Sequence, residues 1–344
     1  MTSKKTTSCT LRDVAKHLGI SHATVSRALR DDPRITEAVR RRVRQAAQKL
    51  GYRRDPKLAE LMTHLRGSKR RAFHGTLAWI TDLDQASEYH RWLHGLNFSP
   101  ASERAGELGY KLEPFIHVKP ADAPRLAHTL EARGIRGIAL IFFFRTVNVE
   151  EWPWDWSRFA LVHAGTVPVE PRFDIVDADY SANSLLLFKT LAEHGYRRIG
   201  IATELSIEQC LNHALCAAGD LFARLHPGHP MFEPCLLPEV SDSTAPVVQK
   251  WIKRHCVDCV VSSAHGMRKL LETCGHRLPK DIGLAFPAVN PKDDWSGVDQ
   301  RDHLIARSAV ETLVASVEQG RFGIPECPRR TLLPGVWHQG ATCR

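Results

Sequence analysis

The sequence predicts two kinds of structure in one chain: a small all-α domain with a helix-turn-helix, and a larger α/β body with two lobes of parallel sheet. Three observations lead to this fold class. Apolar residues recur at helical spacing over the first fifty residues. From residue 75, short apolar runs alternate with amphipathic helices. At 344 residues the chain also exceeds the roughly 250–300 residues at which a single core stops growing.

Positive charge is concentrated at the N-terminus. Residues 1–71 contain 19 Lys or Arg and 6 Asp or Glu, a balance of +13. The rest of the chain contains 28 and 32, a balance of −4, and the two sum to the net charge of +9. Charge needed only for solubility would be spread over the whole surface. A basic domain on a mildly acidic body instead indicates a polyanion as partner.

The first helix of the small domain is predicted to begin at Thr10. Thr10 and Asp13 have the spacing of a capping box, and Gly19 suits the left-handed conformation that ends a helix. Ser21 can cap a second helix that extends to about residue 29. Two short helices around a glycine-bearing turn are typical of a helix-turn-helix. The inward positions are Leu11, Val14, Ala15, Leu18, Val25, Ala28 and Leu29.

A third helix follows the loop DDPRI. We expect Thr36 to cap it and Gly51 to end it. Its apolar stripe closes a three-helix core of about 50 residues, a size at which stability is marginal. The stripe consists of Val39, Val43, Ala46, Ala47 and Leu50, and the opposite face carries Arg40, Arg41, Arg42 and Arg44.

The stretch SHATVSRALR is predicted to be a recognition helix. Its outward positions are Ser21, His22, Ala23, Ser26 and Arg27. The N-terminal residues of such a helix enter the major groove of DNA. Arg27 can donate two parallel hydrogen bonds to guanine, and Ala23 can contact a thymine methyl group. The alternative is a solvated helix face, which the charge balance, the turn glycine and the two caps together disfavour.

The segments TLRDVAKHLGISHATVSRAL and ITEAVRRRVRQAAQKLGY resemble the lactose-repressor (LacI-type) family of bacterial transcription regulators. The resemblance extends over nearly the whole chain. It implies that Thr10 and Leu11 anchor the first helix near DNA phosphates, and that His22, Ala23 and Arg27 read bases. The positions implied to contact the DNA backbone are Ser21, Thr24, Arg30 and Arg34.

The predicted domain boundaries follow from this organisation. Residues 1–52 form the DNA-binding domain, residues 53–73 a hinge, and residues 74–344 the body. The resemblance implies a homodimer, because a two-fold operator matches a two-fold protein. A cytoplasmic location is expected because the sequence shows neither a secretory signal nor a membrane span. Repression is the expected mode of regulation.

The hinge is expected to touch the minor groove. In the family that the chain resembles, a short helix here folds on operator DNA and inserts a leucine between bases, at a cost in unstacking. Counting from Tyr52, the inserted residue is Leu61, and the neighbouring Met62 or Leu58 can share the role because Pro56 is displaced from the family's pattern. Tyr52, Leu61 and Met62 complete the predicted DNA-binding set. A plain linker helix or a coiled contact between protomers remains the alternative.

The body reads as alternating strands and helices. Such alternation predicts parallel sheets buried on both faces, and about 270 residues fit two sheets better than one. The resemblance implies a fold like that of periplasmic sugar-binding proteins, with a ligand cleft between two lobes and a final returning strand near GATCR. The expected strands are GTLAWI, KLEPFIHV, GIALIFFF, FALVH, RRIGIAT, CLLP, CVVSS and IGLAF, with a helix over about 89–108.

Four residues are candidates for binding a small-molecule effector. Asp179 and Gln300 retain polar groups that the family uses. Asn212 stands where sugar-binding members place an arginine, and Ser263 stands where an Asn-Asp pair is common. Losing an arginine and an acid removes strong grips on sugar hydroxyls. The expected effector is a sugar or a related metabolite. The alternative is that the body is only a dimerisation platform.

The sequence contains none of the common motifs of nucleotide-binding proteins, hydrolases or metalloproteases. No GxGxxG, GxxxxGK[ST], GxSxG or HExxH motif occurs, so we expect no enzyme, no cofactor and no metal site. Nine cysteines show no repeating spacing, and the pair Cys256 and Cys259 reads better as part of a buried strand than as a metal or redox site. Isolated histidines such as His163 and His265 are interpreted as satisfied or surface residues. No apolar run reaches the length of a membrane span, and the N-terminus lacks a secretory signal.

Overall fold

The computed structural model describes most of the chain, in two compact units that divide after residue 72. Each unit is treated separately below. The described residues are 11–21, 24–25, 28–29, 35–50, 73–81, 98–116, 118, 120–141, 147–148, 152–165, 169–170 and 172–344.

The described part of the first unit contains two of the three predicted helices and the predicted apolar core. Helix α1 spans Leu11–Leu18, and helix α2 spans Glu37–Lys49. Gly19 has the expected positive φ of 62°, which a residue with a Cβ rarely adopts. The core between the helices consists of the buried residues Val14, Ala15, Val25, Ala28, Val43, Ala46 and Ala47, with Leu18, Ile20, Leu29, Ile35, Val39 and Leu50 packed against them.

Two details of α2 differ from expectation. The prediction that Thr36 caps the helix through its side chain is wrong, because its hydroxyl bonds to no backbone N–H of α2. Thr36 instead marks the boundary through its carbonyl, which accepts from the Arg40 N–H at 3.0 Å. Arg40 was expected on the outer face, but its side chain is only 22% exposed and pairs with Glu37 at 3.3 Å.

The first lobe of the body is a six-stranded parallel sheet in the order β13-β7-β5-β3-β1-β2. Two short strands, β4 and β6, form a separate parallel pair. The strands up to β7 are β1 (Gly75–Thr81), β2 (Tyr110–Phe115), β3 (Gly137–Ile141), β4 (Val147–Asn148), β5 (Ala160–Ala164), β6 (Val169–Glu170) and β7 (Asp174–Ala178). The helices among them are α3 (Ser99–Glu107) and α4 (Ala123–Ala132).

The second lobe is another six-stranded sheet, in the order β14-β12-β11-β10-β8-β9, and only β14 is antiparallel to its neighbour. Its strands are β8 (Ile199–Glu204), β9 (Cys235–Leu237), β10 (Cys259–Val261), β11 (Gly283–Phe286), β12 (Ser296–Asp299) and β14 (Val336–His338), and β13 (Arg330–Leu333) belongs to the first lobe. The helices are α5 (Tyr180–Glu193), α6 (Leu205–Cys210), α7 (Ala214–Leu225), α8 (Ala245–His255), α9 (Met267–Thr273) and α10 (Asp302–Glu318).

The chain crosses between the lobes three times. It leaves the first lobe from β7 into α5, returns from β12 into α10, and leaves again from β13 into β14. Helix α5 packs in the second lobe through Leu187 and Phe188, and α10 packs in the first through Ala309 and Leu313. The predicted two-lobed α/β architecture is therefore confirmed.

A tryptophan cluster covers part of the first lobe's sheet. Trp152, Trp154 and Trp156 are buried, and the ring centroid of Trp154 lies 5.0 Å from each of the other two. The indole N–H of Trp154 donates to the carbonyl of Ala123, the first residue of α4, at 2.6 Å. The three tryptophans lie in the loop before β5, which the sequence shows only as rich in tryptophan.

Two expectations for the body need correction, and a third falls partly outside the described residues. The last strand is Val336–His338, and the GATCR segment is not a strand. Its residues still bind the sheet, because the Thr342 carbonyl accepts from the Leu284 N–H at 2.9 Å. Strand β7 was not expected, and the helix expected over 89–108 is described only over Ser99–Glu107. None of the described helices is both long and apolar enough to cross a membrane.

Candidate nucleic-acid interface and interlobe cleft

The start of the predicted recognition helix is described at Ser21 and Thr24. The Ser21 hydroxyl oxygen accepts from the Thr24 backbone N–H at 3.1 Å, the geometry of an N-cap. The two hydroxyls also share a hydrogen bond of 2.8 Å. Val25 and Ala28 are fully buried and hold the segment on the core. The predicted cap and the predicted inward face are confirmed.

Most of the other predicted DNA contacts lie outside the described residues. Leu11 is the first residue of α1. The positions outside are Thr10, His22, Ala23, Ser26, Arg27, Arg30, Arg34, Tyr52, Leu61 and Met62, together with the rest of the predicted hinge. Their roles remain predictions.

Cationic side chains cover the described exterior of the first unit. Arg41, Arg42 and Arg44 are exposed on α2, and Lys16 is exposed near the end of α1. The apolar residues of both helices face the core, so the charges project from the opposite side. This arrangement can bind a polyanion through the electrostatic attraction that dominates protein–DNA affinity.

The interlobe crossovers contain two of the predicted effector residues. Asp179 caps α5, because its carboxylate accepts from the Ala182 N–H at 3.0 Å, and its own N–H donates to the Leu333 carbonyl at 2.9 Å. Gln300 is buried; it accepts from the Tyr180 hydroxyl at 3.3 Å and donates to the Pro287 carbonyl at 3.2 Å. Gln300 therefore connects distant segments through its side chain, whereas Asp179 does so through its backbone N–H.

The third crossover is held against the other two. The Gly335 N–H donates to the Asn183 side-chain oxygen at 2.7 Å, and the Arg301 guanidinium donates to the Pro334 carbonyl at 2.6 Å. A Cβ at Gly335 would lie 2.7 Å from the Asp299 carbonyl oxygen, so only glycine fits this approach. Any change in the angle between the lobes must act on these bonds.

Acidic groups gather beside the crossovers. Asp177 is buried at the end of β7 and pairs with Arg330 at 3.0 Å. Burial raises the pKa of Asp302 to about 7, and the carboxylates of Asp299 and Asp177 add to the effect. Asp302 is thus partly protonated at neutral pH, a property that nothing in the local sequence indicated.

The other two effector candidates lie on the second lobe. Asn212 is exposed in the turn between α6 and α7, where it has a φ of 52°. Ser263 follows β10; its N–H donates to the Thr203 hydroxyl at 3.1 Å, and its own hydroxyl oxygen is buried without a partner. The shared role of the four candidates remains a prediction.

A cavity of about 490 Å³ lies at the carboxyl ends of β8 and β10. It adjoins the Ser263 position but excludes Asn212. Sequence reasoning missed most of its lining, because the residues come from two loops about 60 positions apart. The lining consists of Glu204, Ser206, Ile207, Cys210, Ala264, His265 and Gly266.

His163 differs from the expectation of a satisfied or surface residue. It is 1% exposed on β5, and neither ring nitrogen has a hydrogen-bond partner. Burial lowers its pKa to about 4, and the positive charge of Arg330 adds to this. The imidazole is therefore neutral. Its unpaired nitrogens are costly, since a buried unsatisfied donor loses about 1–3 kcal/mol.

Within the described part of the chain, no group of three or more His, Cys, Asp or Glu side chains could hold a metal ion. Cys259 is buried in β10 as the sequence suggested, and Cys256 is exposed at the end of α8. These positions fit the interpretation of the pair as part of a strand and its approach.

The arrangement defines a class of protein: a helix-turn-helix unit followed by a two-lobed α/β body with three crossovers. Residues 10–55 match the family model described as bacterial regulatory proteins, lacI family. Over these residues the chain is similar to that family, in agreement with the resemblance of its N-terminal segments.

Among curated proteins, the chain is similar to the HTH-type transcriptional repressor CytR of Escherichia coli (strain K12). The two are 43% identical over 53 residues, which is 15% of this chain and 16% of that protein. The similarity therefore spans less than a fifth of the curated relative and concerns the first unit.

Solved structures establish the fold of the whole chain. A transcriptional regulator CelR–cellobiose complex is 20% identical, with a TM-score of 0.55, over 97% of this chain and 99% of that one. A lac repressor dimer bound to operator and the anti-inducer ONPF is 16% identical, with a TM-score of 0.56, over 98% and 99%. The transcription regulator CcpA of Lactococcus lactis is 12% identical, with a TM-score of 0.59, over 79% and 100%.

Proposed function

We propose that this protein is a sequence-specific DNA-binding transcription regulator, most simply a repressor, that acts in the cytoplasm. The observation that carries the proposal is the family match of residues 10–55, which coincides with the basic helix-turn-helix unit. Ser21 caps the segment that would enter the major groove, and exposed arginines on α2 supply charge near DNA.

The protein is further proposed to bind a two-fold operator as a homodimer. The helix-turn-helix domain of the first unit, called the head below, has about 50 residues and a small interface with DNA. Two heads on one operator multiply the contacts with DNA. Support comes from the similarity in fold to the lac repressor dimer bound to operator. Residues 53–73, with Leu61 or Met62, would contact the centre of the site.

A small-molecule effector is proposed to bind the body and to shift the lobes. The three crossovers joined by Tyr180, Gln300 and Asn183 are the elements through which such a shift would pass. The fold is similar to that of the CelR–cellobiose complex. Coupling between two such sites is typically about 1–3 kcal/mol.

One observation favours a second candidate, in which the body is only a dimerisation platform. Asp179 and Gln300 bond within the crossovers, and Asn212 lies outside the described cavity. Fewer polar side chains are then available to bind a ligand. A DNA affinity that stays unchanged across a broad metabolite panel would favour this candidate.

Replacement of Arg27 by alanine tests the DNA-binding proposal. Operator is first selected from random DNA, and dissociation constants for operator and for random duplex are then measured at several salt concentrations. We expect Arg27→Ala to weaken operator binding by tenfold or more, since a bidentate contact to guanine is worth about 1–3 kcal/mol, with little loss on random DNA.

The matched control is Arg42→Ala, which removes the same charge from the exposed face of α2. It should weaken both duplexes to a similar, small extent. Equal losses on operator and random DNA for Arg27→Ala would make Arg27 a phosphate contact. Failure to select any operator would overturn the proposed function itself.

A further inference from the structure

The cavity at the carboxyl ends of β8 and β10 has a distinct chemical character. Among the described residues of its lining, Glu204 at the end of β8 is the acidic one, and none is Lys or Arg. The Glu204 carboxylate accepts from the Val240 N–H at 2.9 Å through one oxygen. That bond fixes the side chain and leaves the second carboxylate oxygen as an acceptor for a ligand.

The imidazole of His265 adds no positive charge to the cavity. Burial lowers its pKa, with a smaller opposing effect from Asp293. Its ring lies edge-on to Trp295 at 4.9 Å and to Phe286 at 5.9 Å between centroids. His265 is therefore a neutral hydrogen-bonding group held by aromatic neighbours.

The rest of the wall is apolar or weakly polar. Ile207, Cys210 and Ala264 supply apolar surface, and Ser206 supplies a hydroxyl. Burial raises the pKa of Cys210, so its thiol stays neutral. The two helices that begin at the cavity, α6 and α9, have only 6 and 7 residues, and a helix end offers at most about half a charge. A full carboxylate outweighs either one.

We infer that this cavity selects an effector with an apolar body and a hydrogen-bond-donating end that bears no negative charge. Glu204 accepts from that end, and the apolar wall holds the body. The inference rests on the proposed effector site of the preceding section. It disfavours phosphorylated and carboxylate ligands, because each would place an anion beside Glu204, and the described lining supplies no cation to offset it.

The position of Asn212 strengthens this reading. Asn212 stands where an arginine is expected from the resemblance, yet it is exposed in a turn and absent from the cavity wall. Position 212 therefore supplies no positive charge to the described cavity wall. A volume of about 490 Å³ lies within the usual range of roughly 300–1,000 Å³ for small-molecule sites.

The test uses three probes with one phenyl body and different end groups: 2-phenylethylamine, 2-phenylethanol and phenylacetate. Binding to the full chain is measured by titration calorimetry without DNA. We expect the amine and the alcohol to bind, and phenylacetate to bind at least about tenfold more weakly, a difference of about 1.4 kcal/mol. Equal or tighter binding of phenylacetate, or no binding of any probe at millimolar concentration, would overturn the inference.

Glu204→Gln assigns the selection to Glu204, because its amide oxygen can still accept from the Val240 N–H. The discrimination against phenylacetate should fall by most of its tenfold. Glu239→Gln removes the same charge from an exposed neighbouring position and should leave the discrimination unchanged. If Glu204→Gln also leaves it unchanged, the inference is wrong. A separate DNA-binding titration with each probe then tests the effector role, so that its failure is distinguishable from failure of the cavity.

Discussion

The two units of the chain bury different kinds of residue. Among the described residues of the first unit, the buried core positions are all valine or alanine, including Val25, Ala28 and Val43. The body encloses large side chains such as Tyr196, Phe188 and Phe286. The first unit is thus held by close approach of short helices, whereas the body is held by bulky side chains from distant segments. The same contrast governs how far each unit has diverged.

The first unit keeps 43% identity with CytR over 53 residues, while the whole chain shares only 12–20% with the solved structures of its fold. A helix-turn-helix depends on spacing within a short stretch, so its motif stays recognisable. The sheets of the body require only buried apolar strands, which many sequences satisfy. Divergence in the body therefore leaves the fold intact.

The largest effect should come from truncating a core aromatic of the body. Phe188→Ala removes a fully buried ring that stacks on Phe222 at 5.8 Å, and should cost about 3–5 kcal/mol of unfolding free energy. Val43→Ala in the first unit removes less volume and should cost about 1–2 kcal/mol. Urea unfolding, followed by tryptophan fluorescence for the body and by amide exchange for the head, measures both.

The two units also differ in how much stability remains after each substitution. A unit of about 50 residues has only a few kcal/mol of stability, so Val43→Ala should populate an unfolded head although its absolute cost is smaller. Val247→Ala, at a position that is 54% exposed, is the control and should change little. A larger cost for Val43→Ala than for Phe188→Ala would contradict the contrast between the two cores.

The second prediction concerns the pH dependence of the body. The folded pKa of Asp302, about 7, lies above its ordinary value of 3.8, so the folded state binds the proton more tightly. Its contribution to stability is full below about pH 4 and is lost as pH rises through 7. Asp302→Asn should therefore stabilise the body by up to about 4 kcal/mol at pH 8 and have little benefit at pH 4.

The contribution of His163 to stability changes with pH in the opposite direction, and the experiment must separate the two residues. Its folded pKa, about 4, lies below the ordinary 6.5, so its contribution is present above pH 6.5 and lost as pH falls toward 4. Wild type and Asp302→Asn must accordingly be compared at each pH, and the difference between them assigned to Asp302. A difference that is constant from pH 4 to 8 would rule out titration of Asp302 in this window.

The sequence predicted the head more completely than the body's site, for physical reasons. Gly19, Ser21 and Val25 lie within seven residues, so local spacing alone indicates turn, cap and core. Glu204 and His265 meet only because β8 and β10 are neighbours in a sheet. Asp179 and Gln300 were identified as polar residues, but their bonding within the crossovers depends on three segments that are far apart in the chain.

The smallest predicted effect separates two roles of one residue in the head. Ser21 caps the second helix, and it is also predicted to contact a DNA phosphate. Ser21→Ala loses the cap, which should cost about 1 kcal/mol of head stability and weaken DNA binding modestly. Ser21→Asp retains a cap acceptor, so the head should stay as stable as the wild type, as measured by amide exchange.

The DNA affinity of Ser21→Asp then decides between the roles. If Ser21 lies at a phosphate, the added carboxylate repels it, and binding should fall on operator and random DNA alike, more steeply at low salt. If Ser21 serves only as a cap, Ser21→Asp should bind like the wild type while Ser21→Ala does not. The head can be tested in this way because its cap, its core and its proposed DNA surface lie within a few residues of one another, which no site in the body allows.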